Sequence, residues 1–347
     1  MFLYVKKCNF INYFGKTSKK ESFFALNSIF LYRVWVSYIL SQPRNRKTMN
    51  IITHNECPLC KSRAIEKQHS CKDHFATGEL FDIFQCKDCG FVFTQNIPDE
   101  KDIAPYYSSP TYISHSDTSK GLVNKLYHIV RNIMLRRKVS LVKKLTVLQN
   151  GRIVDYGAGT GYFARAMHKK GWEVTAIEKS EQARRFSKEK FGFEMLPEEA
   201  LKSIENSSVD VITLWHVMEH IQQIDTFWEE MGRILEDTGI AIIAVPNCKS
   251  YDADNYGEHW AAYDVPRHLW HFSPSTIMKL GEKHGFILER QYPMLFDGFY
   301  ISLLSERNKG SRLQLLRGFW NGFLGLCATL DKCSASSSII YVFRKRR

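Results

Sequence analysis

Two cysteine pairs, Cys57-Pro-Leu-Cys60 and Cys86-Lys-Asp-Cys89, stand 25 residues apart in a chain of 347. Each pair makes a tight turn that presents two thiolates, and four thiolates close the tetrahedral shell of a structural zinc ion. Gly90 follows the second pair and can take the positive φ in which such a turn ends. The expected metal ligands are therefore Cys57, Cys60, Cys86 and Cys89, and the rival reading is a pair of redox dithiols. His69, Cys71 and His74 lie between the pairs and are expected to face solvent. A closed site of this kind contributes on the order of 10 kcal/mol of folding free energy to a module too small to hold its own core.

The second constellation is Asp155-Tyr-Gly157-Ala-Gly159-Thr-Gly161, which follows an apolar strand and opens a helix at Tyr162. Glycines at that junction let the backbone approach a ligand beyond the strand ends of an open parallel sheet. The spacing departs from the dinucleotide fingerprint, whose sixth position is here Tyr162, and no Gly-Lys-Ser/Thr follows to make a phosphate loop. Asp155 at the strand end would repel a pyrophosphate and suits a ligand with ammonium and sulfonium charges. Glu178, 17 residues past Gly161, ends the next strand, where a carboxylate can accept both ribose hydroxyls.

Polar clusters follow the next two strands. Glu219-His220 comes first, then Asn247, His259-Trp260, Asp264, Arg267-His268 and His271. His220 and His268 are candidates for a general base, because imidazole titrates near neutrality. Glu219, His259, Asp264, Arg267 and His271 are candidates for contact with an acceptor; Arg267 either grips an anionic group on it or pairs with Asp264. His259, His268 and His271 lack the spacing of a metal site, and none is expected there.

The elements that must position these residues are legible from 151 onward. RIVDYG, WEVTAIE, FEML, VDVITLW, IAIIAVPN, FILERQY and SIIYVFRKR are short apolar segments separated by helical intervals. That alternation predicts a doubly wound α/β sheet of seven strands, the last one able to enter antiparallel. Between Lys120 and Leu148 apolar residues recur every three or four positions, which predicts one or two amphipathic helices with the basic run 136–138 on the solvated side. The expected order is an extension over 1–48, a zinc ribbon over 49–100, a helical connector over 101–148 and the sheet domain over 149–347.

On VDYGAGTG, the Glu178 strand end, VDVITLWHVMEHI and IAIIAVPN, the chain resembles the class I S-adenosylmethionine-dependent methyltransferases from roughly Leu145 to Arg347. The resemblance implies a Rossmann-like seven-stranded sheet with an antiparallel last strand. It also implies S-adenosylmethionine over Gly157, Gly159 and Gly161, Glu178 on its ribose, and Trp215 with His216 lining the pocket. The run CKDCGFVFTQNIP through Tyr106-Tyr107 resembles the zinc domain of sugar C-methyltransferases, which carry a further carboxy-terminal domain that has no counterpart after this sheet.

Charge sorts the possible functions. The net charge of +12 belongs to the two ends: residues 1–48 hold nine bases against Glu21, and Arg344-Lys-Arg-Arg347 adds four more. The span between them is neutral, which points away from polyanions and toward a small-molecule acceptor such as a sugar, polyketide or envelope-glycan precursor. The alternative is a nucleic-acid methyltransferase that docks through the ribbon. With 44% apolar and 24% charged residues the chain is ordinary globular material, expected in the cytoplasm. Residues 22–41 are nearly long enough for a bilayer span but carry Arg33, and Met49 reads as the start of the working fold. Residues 313–330 read as a buried helix or, alternatively, as a lid or a membrane-surface contact.

Overall fold

The computed structural model describes residues 49–107 and 122–346, with the backbone alone for 122–130. The extension 1–48, and with it the reading of residues 22–41, lies outside the described residues.

The amino-terminal module has β1 (Ile51–Ile52), β2 (Ile65–Lys72), β3 (Leu80–Cys86), β4 (Val92–Gln95) and β5 (Ile97–Pro98). β1 pairs with β5, while β2, β3 and β4 form an antiparallel meander. Val92–Gln95 is buried throughout, and a fourth strand from far downstream, Trp270–His271, pairs along its free edge.

α1 (Leu122–Thr146) is one continuous helix and leads into the main sheet. Then come β6 (Arg152–Tyr156), α2 (Tyr162–His168), β7 (Glu173–Ile177), α3 (Glu181–Phe191), β8 (Val209–Trp215), α4 (Ile224–Ile234) and β9 (Leu235–Pro246). The chain continues through α5 (Tyr251–Tyr256), β10 (Trp270–His271), α6 (Pro274–Lys283) and β11 (Phe286–Pro293), and closes with α7 (Asp297–Asn308), α8 (Gln314–Asp331) and β12 (Ser338–Lys345).

The sheet order is β7-β6-β8-β9-β12-β11. β7, β6, β8 and β9 are mutually parallel, and β12 runs antiparallel to both β9 and β11. Residues 239–246 of β9 are buried without interruption, as the centre of a sheet covered by helices on both faces requires. The sheet has six strands where the sequence predicts seven. FEML makes a single parallel bridge, Ile177 to Leu196, before the chain turns into a 3-10 helix at Glu198.

The module and the sheet are not two beads. β10 adds to β4, with Trp270 opposite Phe93 and His271 opposite Val92. Cys57, Leu59, Phe91 and Phe93 pack in the same core as Val154, Ile212, Trp228 and Phe343, and Asn50–Arg347 is one compact unit. Cys71 is also core, 2% exposed against Phe81 and Ile83, and so corrects the expectation of a solvent-facing residue.

Candidate active site

The glycine loop joins β6 to α2 and is tied down by β7: the Gly157 and Ala158 amides both donate to the Ile177 carbonyl, at 2.8 and 3.0 Å. A Cβ on Gly157 would come within 2.4 Å of Val217, so that glycine serves close packing. Gly159, at φ +56°, has nothing within 4 Å of where its Cβ would be and so offers an open cradle. A Cβ on Gly161 would lie 2.7 Å from the Ser187 hydroxyl. Glu178 closes the cradle: its carboxylate accepts from the Gly159 amide at 2.7 Å and the Ser180 amide at 2.8 Å. A carboxylate beside the open space at Gly159 fits the ribose-bearing end of S-adenosylmethionine. Asp155 is 1% exposed beneath the loop, where it accepts from the Thr213 hydroxyl at 2.7 Å and ties β6 to β8. Burial pushes its pKa up to about 7.

Trp215 ends β8, with the Lys138 ammonium 4.3 Å from the centre of its ring. The basic run of α1 is therefore not simply a solvated face, since Arg137 likewise lies over Phe296. His216 follows at φ +60°, a left-handed conformation that side chains other than glycine rarely adopt. Its Nε2 lies 3.2 Å from Asp297 and its Nδ1 3.6 Å from Glu219. Burial works against charge on this ring, yet the two carboxylates lift its pKa to about 9.

Glu219 is 1% exposed, and neither of its oxygens accepts a hydrogen bond from the described residues. Burial opposes its charge, but His216, His268 and His220 hold the carboxyl below its ordinary range. The His220 Nδ1 lies 2.9 Å from the Arg267 carbonyl and 3.2 Å from the Tyr107 hydroxyl. A carbonyl can only accept, so Nδ1 carries the proton and Nε2 keeps a lone pair. The His268 Nδ1 is held in the same way by the Ala262 carbonyl at 2.7 Å. The two rings meet edge to face with centres 4.6 Å apart. Glu219, His220 and His268 each place one polar atom within 4.8 Å of the other two. Burial and the neighbouring His268 push the His220 pKa down to about 4.

The other acceptor candidates are placed differently. Arg267 is 1% exposed and donates to Asp264 at 2.6 and 3.0 Å, to Asp73 at 3.1 Å and to the Tyr106 carbonyl at 2.8 Å. Of the two readings of Arg267, the pairing with Asp264 is the one the structure shows, and the guanidinium fastens the amino-terminal module to the sheet domain. Asp264 is spent on Arg267 and sits 3.9 Å from the His268 Nε2. His271 is buried with its Nε2 2.9 Å from the Thr94 hydroxyl, and burial pushes its pKa well down, so it too belongs to the seam. His259 is 38% exposed beside Glu258. Among the described residues His259, His268 and His271 do not gather as a metal site. Asp73 and Asp297 carry no signal in the sequence that marks them as site residues. Asp73-x-x-x-Thr77-Gly78 carries a turn signature, since Asp73 accepts from the amides of Phe75, Ala76 and Thr77, but nothing local marks its pairing with Arg267.

Away from this cluster, the sulfurs of Cys57 and Cys89 lie 3.5 Å apart, as do those of Cys60 and Cys86, and all four fall within 4.8 Å of one another. Tetrahedral zinc with bonds of about 2.3 Å needs sulfurs about 3.8 Å apart, so the four residues fit that ion.

Residues 130–291 match the family model described as a methyltransferase domain. A ubiquinone biosynthesis O-methyltransferase of Pelagibacter ubique (strain HTCC1062) is 27% identical over 186 residues, 50% of this chain and 76% of the relative. The protein of the same name from Rickettsia canadensis (strain McKiel) is 26% identical over 202 residues, 53% of this chain and 84% of the relative. Among solved structures, a SAM dependent methyltransferase from Archaeoglobus fulgidus aligns with TM-score 0.41 and 18% identity, covering 62% of this chain and 94% of that one.

Proposed function

We propose that this chain is an S-adenosylmethionine-dependent methyltransferase that methylates a hydroxyl oxygen of a small-molecule acceptor held against Glu219, His220 and His268. The observation that carries the reading is Glu219, a buried carboxylate with no hydrogen-bond donor of its own, set beside imidazoles whose Nδ1 protons are already committed. Buried polar groups left open in this way mark places where a ligand completes the bonding.

S-adenosylmethionine, when bound over the loop, supplies a methyl carbon activated by its sulfonium. The chain must align the acceptor, exclude water and take one proton. With that donor in place, transfer to the hydroxyl oxygen would leave the electron pair of the broken carbon-to-sulfur bond on sulfur. The hydroxyl proton then becomes strongly acidic, so even a base with a pKa near 4 receives it. His220 is such a base, and Glu219 stabilises the imidazolium that results. Tyr107 reaches His220 from the end of the amino-terminal module, which supports a role for that module at the acceptor entrance.

The relatives named for ubiquinone biosynthesis and O-methylation support a small hydroxylated acceptor. A sugar, polyketide or envelope-glycan precursor presents the same group. Methylation of RNA is less well supported, because the basic charge lies at the chain ends and the span between them is neutral. The test is transfer of labelled methyl from S-adenosylmethionine to a panel of hydroxylated small molecules and to RNA. Product on a hydroxyl acceptor, lost in His220→Ala, is expected; faster transfer to RNA would overturn the proposal.

A further inference from the structure

α8 carries its side chains the wrong way round for a helix that has only to pack in water. The face it turns to α7 is glycine: a Cβ on Gly318 would lie 2.8 Å from the Leu303 Cα, and one on Gly322 2.7 Å from the Phe299 Cα. The two backbones are thereby in close approach. On the opposite side Leu316, Phe319, Trp320, Phe323 and Leu330 are exposed by 70, 63, 59, 43 and 71%. At 100° per residue these five fall within one arc of about 100°, on the side of the helix turned away from Gly318 and Gly325. Large apolar groups outside and glycines inside invert the usual amphipathic helix, and a contiguous apolar patch of this kind marks an interaction surface.

The charges around the stripe identify what covers it. Between 307 and 332 the exposed charged residues are Arg307, Lys309, Arg312, Arg317 and Lys332 against the single acid Asp331. A second copy seated on this face by two-fold symmetry would set those bases against their own counterparts. An anionic lipid surface complements them, and Trp with Phe at the border of an apolar stripe is the composition that settles at a headgroup boundary. No described helix, this one included, is long and apolar enough to cross a membrane.

We infer that α8 is an interfacial helix that docks this protein on an anionic bilayer, with Leu316, Phe319, Trp320, Phe323 and Leu330 inserted and the flanking arginines at the headgroups. α8 packs along α7, whose first residue Asp297 touches His216, so the docked helix and the reaction site share one hairpin. The inference stands on the surface of α8 and does not depend on which acceptor is methylated.

Co-sedimentation of the full chain with phosphatidylcholine vesicles, with and without 30% phosphatidylglycerol, tests it. The expected result is binding to the anionic vesicles that weakens as salt is raised, with at least a tenfold lower partition coefficient for Phe319→Ser/Trp320→Ser and for Phe323→Ser alone. Arg312→Glu/Arg317→Glu should abolish the preference for anionic over neutral vesicles. Unchanged vesicle binding by folded serine variants, as judged by circular dichroism, would overturn the inference and place lipid contact elsewhere in the chain. So would a wild-type dimer that ignores vesicles and becomes monomeric in the same variants, which would assign the stripe to self-association.

Discussion

The Asp297 carboxylate lies 3.2 Å from the Nε2 of His216, and this contact joins the start of α7 to the turn that follows β8. Neither residue is near the other in sequence, and His216 holds a left-handed backbone to make the contact. With Glu219 on its other nitrogen, the ring is flanked by two carboxylates and is a cation at neutral pH.

The sign of the pH dependence follows. The folded pKa of His216 is raised to about 9 from an ordinary 6.5, so the charged pair stabilises fully below 6.5 and is lost as pH rises through 9. Asp297→Asn removes one partner and should bring the imidazole titration, followed by NMR, down by at least one unit. An unmoved titration would show that Asp297 does not hold the charge.

Replacing His220 by Ala, or Glu219 by Gln, should lower kcat by about 10²- to 10⁴-fold and leave S-adenosylmethionine affinity nearly unchanged. Because burial depresses the His220 pKa to about 4, the neutral base is present throughout the physiological range and activity should fall only as pH drops toward 4. An acid limb centred at 6.5 would exclude His220 as the group that titrates.

Glu178 bridges the Gly159 and Ser180 amides, so Glu178→Ala removes both the loop's brace and the carboxylate offered to a ribose. Calorimetry should show S-adenosylmethionine binding weakened about 10- to 100-fold, the range for loss of one or two hydrogen bonds to a charged group. Gly159→Leu, which fills the cradle and strains a positive φ, should weaken it at least as much. Unchanged affinity in both variants would remove the loop as the cofactor site.

Arg267 is buried between Asp73 and Asp264, and truncating it leaves two carboxylates without their cation. Arg267→Ala should cost about 3–5 kcal/mol in denaturant unfolding. Arg267→Lys should recover little, because an ammonium cannot reproduce the fork of bonds to Asp73, Asp264 and the Tyr106 carbonyl. A loss below about 1 kcal/mol would mean that the seam is held by apolar packing alone.

Metal analysis of protein purified without chelator should find about one zinc per chain, and Cys86→Ser should abolish it. Since Cys57 and Phe91 share a core with Trp228 and Phe343, stripping the metal should lower the melting temperature of the whole unit and not release an intact sheet domain. Metal-free wild type with an unaltered melting curve would refute the assignment.

Much of this was written in the sequence because it is local. The glycine loop, the Glu178 strand end, the paired cysteines and the buried runs of β6, β8 and β9 follow from turn geometry and from the near-continuous apolar pattern of a covered parallel sheet. The antiparallel entry of β12 was legible too, because the stretch before it offered no crossover helix of the usual kind. The seventh strand is reduced to one bridge at Leu196, because the chain turns into a 3-10 helix at Glu198.

What only the tertiary structure decided concerns pairs far apart in the chain. Arg267 meets Asp73 across 194 residues, His216 meets Asp297, β10 adds to β4, and His220 comes face to edge with His268. The charge of a histidine, the burial of an arginine and the exposure of Trp320 are set by such neighbours, because desolvation and Coulomb attraction depend on distance in space. Sequence chose which residues were capable of chemistry; folding chose that Glu219, His220 and His268 would share a site while Arg267 and His271 became its frame.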